Sequence, residues 1–365
     1  MVATMTRTLP LLSQRALNRA TLARQHLLER TRMPALRLVE HLVAMQAQNP
    51  LDPYFAMAAR LDAFDPAEAS QLLEQRRTVR TGSIRTTLHL QTAEDALAIA
   101  PFAMDVHKRI FRNTSFAKAI DGLDLAVVAG EARRLLDEHP RTTNELGKAL
   151  QARWPDRDAS SLAYAIRYAV PVAQLPPRGL WGKTKASTWS TLTTWLEGVE
   201  ATPTTLDDLV LRYLAAFGPA SPADARTWSW FTGLREVFER LRPQLVTFRD
   251  EQGRELFDLP DAPRPPEDTP APPRFLPEYD NLLLSHDDRT RFYDRDYRDR
   301  LGWKGTLLVD GLLRGVWRIR DKALTVELFA AVVPADRRAI DEEAERLRAF
   351  AQTGFGRLEL RFVAS

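Results

Sequence analysis

Three times along this chain the same order recurs: short amphipathic helices, then two alternating, strand-like runs joined by a turn. A repeat at a spacing of roughly 70–100 residues favours an array of small units over one large core, so it constrains the fold more than any bulk property. The middle copy is the plainest. Leu125–Leu136 carries apolar residues at helical spacing, HPRTTNELGKAL (139–150) supplies a proline, a threonine cap and a second helix, and DASSLAYAIRYAV (158–170) supplies a third. QLPPRGLWG (174–182) and ASTWSTL (186–192) then read as a strand pair. The next copy runs LDDLVLRYLAAF, GPASPADARTW and TGLREVFERL, and its hairpin QLVTFRDEQGRELFDL turns at Glu251, Gln252 and Gly253. In the first copy, helices over Gln14–Glu29, Pro34–Gln46 and Pro66–Arg77 precede the strand pair VRTGSIRTTLHL (79–90).

Three helices followed by a strand pair is the winged-helix pattern, in which the third helix or the wing meets DNA. The expected fold is α+β: three tandem winged-helix motifs over 10–118, 119–203 and 204–262, then a β-rich C-terminal region over 263–365. Stacked helical bundles without wings are the alternative. The stretch DAPRPPEDTPAPP (261–273) can be neither helix nor central strand and marks the last boundary. Beyond it, GTLLVDG and RGVWRIR pair across Asp310-Gly311 as a tight hairpin (305–320), ALTVELFA follows as a strand, and a helix from Pro334 to Ala351 precedes a closing strand. Alternation places Arg314, Arg318 and Arg320 on one face of the hairpin, with Leu313, Trp317 and Ile319 on the other. That basic face suits a groove of DNA or, equally, an outer face in water.

The chain has 365 residues and no cysteine, which removes disulfides and thiolate chemistry and suits a reducing cytoplasm. No apolar run approaches the roughly 20 residues of a membrane span, so no membrane partner is expected. Of 51 basic residues 44 are arginine, and a pI near 9.2 is compatible with a polyanion. Arg7, Arg15, Arg19 and Arg24 precede the first acid, Glu29, as in a transit peptide. Helical spacing that runs on into the next helix favours an integral first helix instead.

MQAQNP (45–50) is the stretch with the most chemistry in it. Gln46 and Gln48 are either a polar helix end or a pair of working amides, and an i, i+2 pair shares a side only if the chain leaves helical geometry. Asn49-Pro50 supports that departure, since the residue before proline is pushed out of the α region. Other polar residues also have two readings. Arg85, Thr87 and His89 share one face of the first wing, where phosphate contact competes with a buried histidine bonding its neighbours. Arg178, Lys183 and Lys185 on the second wing meet phosphates or solvent. His286, Asp287 and Asp288 read as a polar turn rather than a metal site, and Asp280 as a turn former or a cleft residue. Trp154, Trp181, Trp195, Trp228 and Trp230 read as core.

MQAQNP with PYFAMAARL behind it, IRTTLHL before TAEDA, YLAAFGPASPADARTW, LPEYDNLLLSHDDR and VDGLLRGVWRIR together resemble the bacterial winged-helix DNA glycosylases over about residues 10–363. The resemblance implies double-stranded DNA bearing N7-alkylguanine or interstrand crosslinks as partner, no metal or other cofactor, and a DNA-contacting hairpin over 305–320. It also implies a catalytic pair in a Gln-apolar-Gln motif, matched by Gln46, Ala47 and Gln48. The YcaQ branch of the family is similar but carries an acid at the second position, so this chain falls on the AlkZ-like, azinomycin-resistance side.

Two neutral amides suffice for such a substrate. N7-alkylguanine is cationic, so its glycosidic bond is already weakened and the base departs neutral without a general acid. What is left is to stabilise charge on the sugar and to hold a water beneath C1′, tasks for the oriented carbonyl dipoles of both glutamines. Each well-placed group contributes on the order of 3 kcal/mol. The expected enzyme is a monomeric, monofunctional glycosylase that uses water and forms no Schiff base. A winged-helix transcriptional regulator is the alternative from another class, and a crosslink binder without chemistry is a third.

Overall fold

A computed structural model describes residues 9–364, so Arg7 and Ser365 of the readings above lie outside the described residues. The first helix, Gln14–Arg24, is capped by Ser13, whose hydroxyl accepts the Ala16 N–H at 3.0 Å. Its arginines are internal fasteners. Arg24 grips Asp258 with two hydrogen bonds of 2.7 and 2.8 Å, and Arg19 donates to the Thr269 carbonyl at 2.6 Å, tying the proline-rich connector to the helix. An integral helix, as the spacing implied, is what these residues build.

The second helix, Ala35–His41, stops short of the expected Gln46. Val43 takes φ 64°, and Met45–Gln46 runs on as a short strand, antiparallel to Leu90–His89. The apolar run 42–45 is fully buried, and periodicity alone does not separate a buried strand from the end of a helix. Besides the short Ser115–Ala119 and Leu192–Trp195, two longer helices go beyond the sequence reading. Asp52–Arg60 starts at Pro53, and Ala93–Phe111 is capped by the Thr92 hydroxyl and carries Pro101 in its interior, a residue that ordinarily ends a helix. Between them lie the expected helix, Pro66–Glu74, and the first hairpin, Thr78–Gly82 with Leu88–Thr92.

The second set of helices is Leu125–Glu138, Thr143–Arg153 and Ala159–Ile166, with Thr142 and Glu145 forming a capping box before the middle one. Its strands, Val172–Gln174 and Thr188–Thr191, join the first hairpin in one six-stranded sheet through the pairs Arg80↔Gln174 and Thr81↔Ala173. The third set, Leu206–Phe217, Pro222–Ser229 and Leu234–Leu241, ends in the hairpin Val246–Arg249 with Glu255–Asp258, where Gly253 takes φ 78°.

The C-terminal region is a five-stranded sheet in which the closing strand, Glu359–Ala364, runs parallel to its neighbour Ala323–Leu328. Helix Pro334–Phe355 covers it, burying Ile340, Ala344 and Leu347 with Trp317, Leu324 and Val326. The whole is a mixed α and β architecture. No helix among the described residues is long and apolar enough to cross a membrane.

The hairpin Gly305–Val309 with Leu312–Arg320 forms as expected, but its tip is not free. Asp310 binds Arg15 at 2.7 Å and also pairs with Arg19, and a Cβ at Gly311 would lie 2.4 Å from Asn18 Oδ1. Opposite Leu307 and Leu308 the register shifts by one residue at Arg314, which is half-buried. Arg318 and Arg320 are exposed at the far end, beside the turn at Asp321 and Lys322.

Candidate active site

Met45–Gln46 is held as a short strand against the first hairpin, and the pairing continues past Gln46 through Ala47 N–H to Leu88 C=O at 2.8 Å. Gln48 follows in a bend ahead of Asn49-Pro50 and returns its side chain to the Leu88 N–H, so a strand end and a bend, rather than the fraying helix end expected from Asn49-Pro50, bring both glutamines to the same hairpin. The Ala47 carbonyl accepts Arg80 Nη2 at 2.8 Å, and Arg80 also reaches Gln174, so a buried guanidinium ties this strand to the second hairpin.

The two amides have different surroundings. Gln46 is only 7% exposed, and its Oε1 accepts from Arg85 Nη2 at 3.0 Å and Thr87 Oγ1 at 3.3 Å. Arg85 thus holds the carbonyl, while the single Thr87 hydroxyl proton is shared between Gln46 and the Ile84 carbonyl, 3.4 Å away. A guanidinium can only donate, so the carbonyl must face it and the amide nitrogen must point the other way. Gln46 Nε2 makes no hydrogen bond among the described residues and is not among the fully enclosed unpartnered atoms, so it is the accessible end of the side chain. Gln48 is exposed. Its Oε1 accepts only the Leu88 N–H, at 3.3 Å, leaving a lone pair toward a cleft of about 240 Å³ between the first hairpin and the second set of helices.

Arg85 organises the floor of the site. Held at φ 54°, it donates to Gln46, to Asn281 Oδ1 at 2.6 Å and to the Trp228 carbonyl, and lies 3.3 Å from His89 Nε2. Asn281 in turn donates to the Ala44 carbonyl at 2.5 Å. No carboxylate binds Arg85, and burial lowers its pKa to about 9, still high enough to keep the charge at neutral pH. Burial, and next the charge of Arg85, push His89 well below its usual value, so its ring is neutral.

Arg85 and His89, candidates for DNA contact in the sequence, are instead buried, with their hydrogen bonds directed to Gln46, Asn281, Trp228 and Thr87 in the interior. Their shared face with Thr87 is real, and it converges on Gln46. The second-wing cations are on the surface. Lys183 and Lys185 are exposed and Arg178 is half-buried, donating to the Lys185 carbonyl at 2.9 Å. Phe55, at the start of the helix that follows the motif, touches both Trp181 of that wing and Trp317 of the C-terminal hairpin, with centroids 5.5 and 5.2 Å away. Those two elements carry Lys183 and Arg318 and so flank one region.

Asp280 is a structural residue: it accepts the Leu282 N–H at 2.9 Å and grips Arg60 with two 2.8 Å bonds. His286 binds the Phe217 carbonyl, Asp287 receives a bond from Thr227, and Asp288 caps the turn at Thr290. Of the tryptophans read as core, Trp228 is buried, Trp154, Trp181 and Trp195 are half-buried, and Trp230 is 39% exposed. Sequence reasoning missed Asn281, although it lies inside LPEYDNLLL, and missed Trp303, which is 80% exposed and edge-on to Tyr279 at 5.8 Å. No local pattern marks either residue.

The profile of a family described as DNA glycosylase AlkZ-like matches residues 39–350. Among solved structures, the Streptomyces sahachiroi DNA glycosylase AlkZ is similar in fold, with a TM-score of 0.76 and 22% sequence identity, over 96% of this chain and 100% of its own. No curated protein matches the chain by sequence.

Proposed function

Since this chain belongs to the AlkZ-like DNA glycosylase family, we propose that it is a monofunctional glycosylase. It hydrolyses the bond between N7-alkylguanine and deoxyribose, including the two ends of an interstrand crosslink, with Gln46 and Gln48 as the catalytic pair. The observation that carries this reading is the complementarity of the two amides. Gln46 offers an N–H donor because Arg85 and Thr87 hold its carbonyl, whereas Gln48 offers a carbonyl acceptor. A water between them gives one hydrogen bond to Gln48, takes one from Gln46 and keeps a lone pair for C1′; as its C1′–O bond forms and the C1′–N9 bond breaks, the base leaves neutral and the water's proton passes to solvent. Both side chains return to the same stretch of the first hairpin, Gln46 to Thr87 and Gln48 to the Leu88 N–H, the juxtaposition a shared water would use.

That division alters the role of Gln46. The sequence reading gave both carbonyls to the sugar cation, but a donor beside developing positive charge is unfavourable, so only the Gln48 carbonyl supplies that field. Arg85 polarises the Gln46 amide and strengthens its N–H as a donor. In the YcaQ branch, an acid at the second position preserves an acceptor and could not replace the donor at the first.

We further propose that the three recurring helix-and-hairpin units act as winged helices over 10–118, 119–203 and 204–262, that the region 263–365 completes a curved surface for duplex DNA, and that a monomer suffices. Arg178, Lys183, Lys185, Arg314, Arg318 and Arg320 are the proposed phosphate contacts, with Arg318, Arg320 and Trp303 at the open end of the C-terminal sheet rather than at its docked tip. The test is chromatographic analysis of free base after incubation with duplexes carrying 7-methylguanine or an N7–N7 crosslink. Release of base from wild type and its loss in Gln48→Ala are expected. A folded protein that releases none, yet selects one operator sequence, would instead be a regulator.

A further inference from the structure

The cleft beside Gln48 contains a cation that the protein itself does not use. Arg167 follows the Ala159–Ile166 helix, and its guanidinium carbon lies 5.8 Å from the Tyr164 ring centroid and 5.1 Å from that of Trp189. Both rings line the cleft together with Gln48, Thr87 and Leu88. Phe116 stacks on Tyr164 at 5.0 Å and 14°, which stiffens that wall. Among the described residues the Arg167 side chain donates no hydrogen bond and pairs with no carboxylate, although it is only half-exposed. Other enclosed arginines spend their terminal nitrogens inside the protein: Arg24 and Arg60 on aspartates, Arg85 on neutral acceptors. Aromatic faces fix a guanidinium without consuming its N–H groups, so the planar fork stands open.

Charge decides what such a fork receives. An N7-alkylated guanine is itself cationic and is repelled by Arg167, while the neighbouring His107 ring, which burial keeps neutral, adds no second positive charge. A phosphodiester matches the fork in charge and in planar two-point geometry. We propose that this cleft holds one phosphodiester of the damaged strand and that Arg167 is a positioning residue, anchoring the backbone so that the adjoining sugar faces Gln48. This proposal rests on the glycosylase reading above.

The test uses the full chain and a set of duplexes with a non-hydrolysable 2′-fluoro lesion nucleotide, each carrying a single neutral methylphosphonate at a different place along the damaged strand. One position is expected to weaken wild-type binding about tenfold, as loss of a charge-assisted contact does. In Arg167→Met that position should have no further effect, and the slope of log affinity against log salt should become shallower by about 1. Arg167→Lys keeps the charge without the fork and should fall between the two. Thermal unfolding confirms that each variant is folded, and Arg167→Gln replaces any that is not. If every methylphosphonate weakens the variants as much as wild type, the phosphate site is refuted. Base release is scored separately on natural lesions. Release without coupling overturns only the cleft proposal, and coupling without release overturns only the glycosylase reading.

Discussion

Replacing Gln46 by glutamate separates the donor role of that side chain from the carbonyl role that sequence alone suggested. The substitution swaps one amide nitrogen for oxygen and leaves the shape almost unchanged, beside a guanidinium that lacks any carboxylate. Lowering Arg85 from 12.5 to about 9 corresponds to about 5 kcal/mol of disfavoured charge. A new carboxylate recovers part of this and adds its own desolvation penalty, so the fold should gain on the order of 1 kcal/mol, or roughly 1–2 °C in Tm. Activity should move the other way. Without an N–H to orient the water, single-turnover release of 7-methylguanine should fall by about tenfold, the order of one lost hydrogen bond. A Gln46→Glu enzyme that is more stable and as fast as wild type would refute the donor assignment and restore the carbonyl account.

Gln48→Asp retains an acceptor near the Leu88 N–H and should keep activity within about tenfold of wild type, whereas Gln48→Ala should lose about a hundredfold, both read from the same release assay. Asp280→Ala leaves Arg60 buried without its partner and should cost about 3–5 kcal/mol in denaturant unfolding, while the protein that remains folded at low temperature still cleaves. Burial lowers His286 to about 3, against 6.5 when unfolded, so its contribution is present above pH 6.5 and is lost as pH falls toward 3. At pH 5 that loss is roughly 2 kcal/mol, visible as a drop in Tm. The rate per folded molecule should stay flat from pH 6.5 to 8, because neither amide titrates.

Recurrence of helices and turns made most of the fold legible. The threonine cap in HPRTTNELGKAL, which is Thr142, and the Asp310-Gly311 turn are local signals and placed their elements well. What sequence hid was tertiary. Residues 42–45 are apolar enough to continue a helix, yet the chain turns at Val43 and Met45–Gln46 becomes a strand against the edge that Leu88–Thr92 offers. The joining of two hairpins into one sheet through Arg80 and Gln174 leaves no mark in either hairpin alone. Basic residues were the least legible, since a guanidinium on a strand looks alike in sequence whether it meets phosphate, as proposed for Arg318, or props an amide from behind, as Arg85 does.

The placement of positive charge follows from the substrate proposed for the site. During hydrolysis one positive charge moves from the purine to the sugar, so a bare cation beside the sugar would oppose the reaction. Arg85 is kept behind Gln46, with its N–H groups used by Gln46, Asn281 and the Trp228 carbonyl, so its field reaches the reacting centre through an oriented amide. Arg167 stands in the cleft wall, where a phosphate would neutralise it before the sugar develops charge. The exposed cations of the second wing and the C-terminal sheet lie on the outer surface, where solvent and salt screen them. An enzyme arranged this way needs no acid or base of its own: the lesion brings the leaving-group activation, and the protein has only to aim one donor, one acceptor and one anchored phosphate at the same carbon.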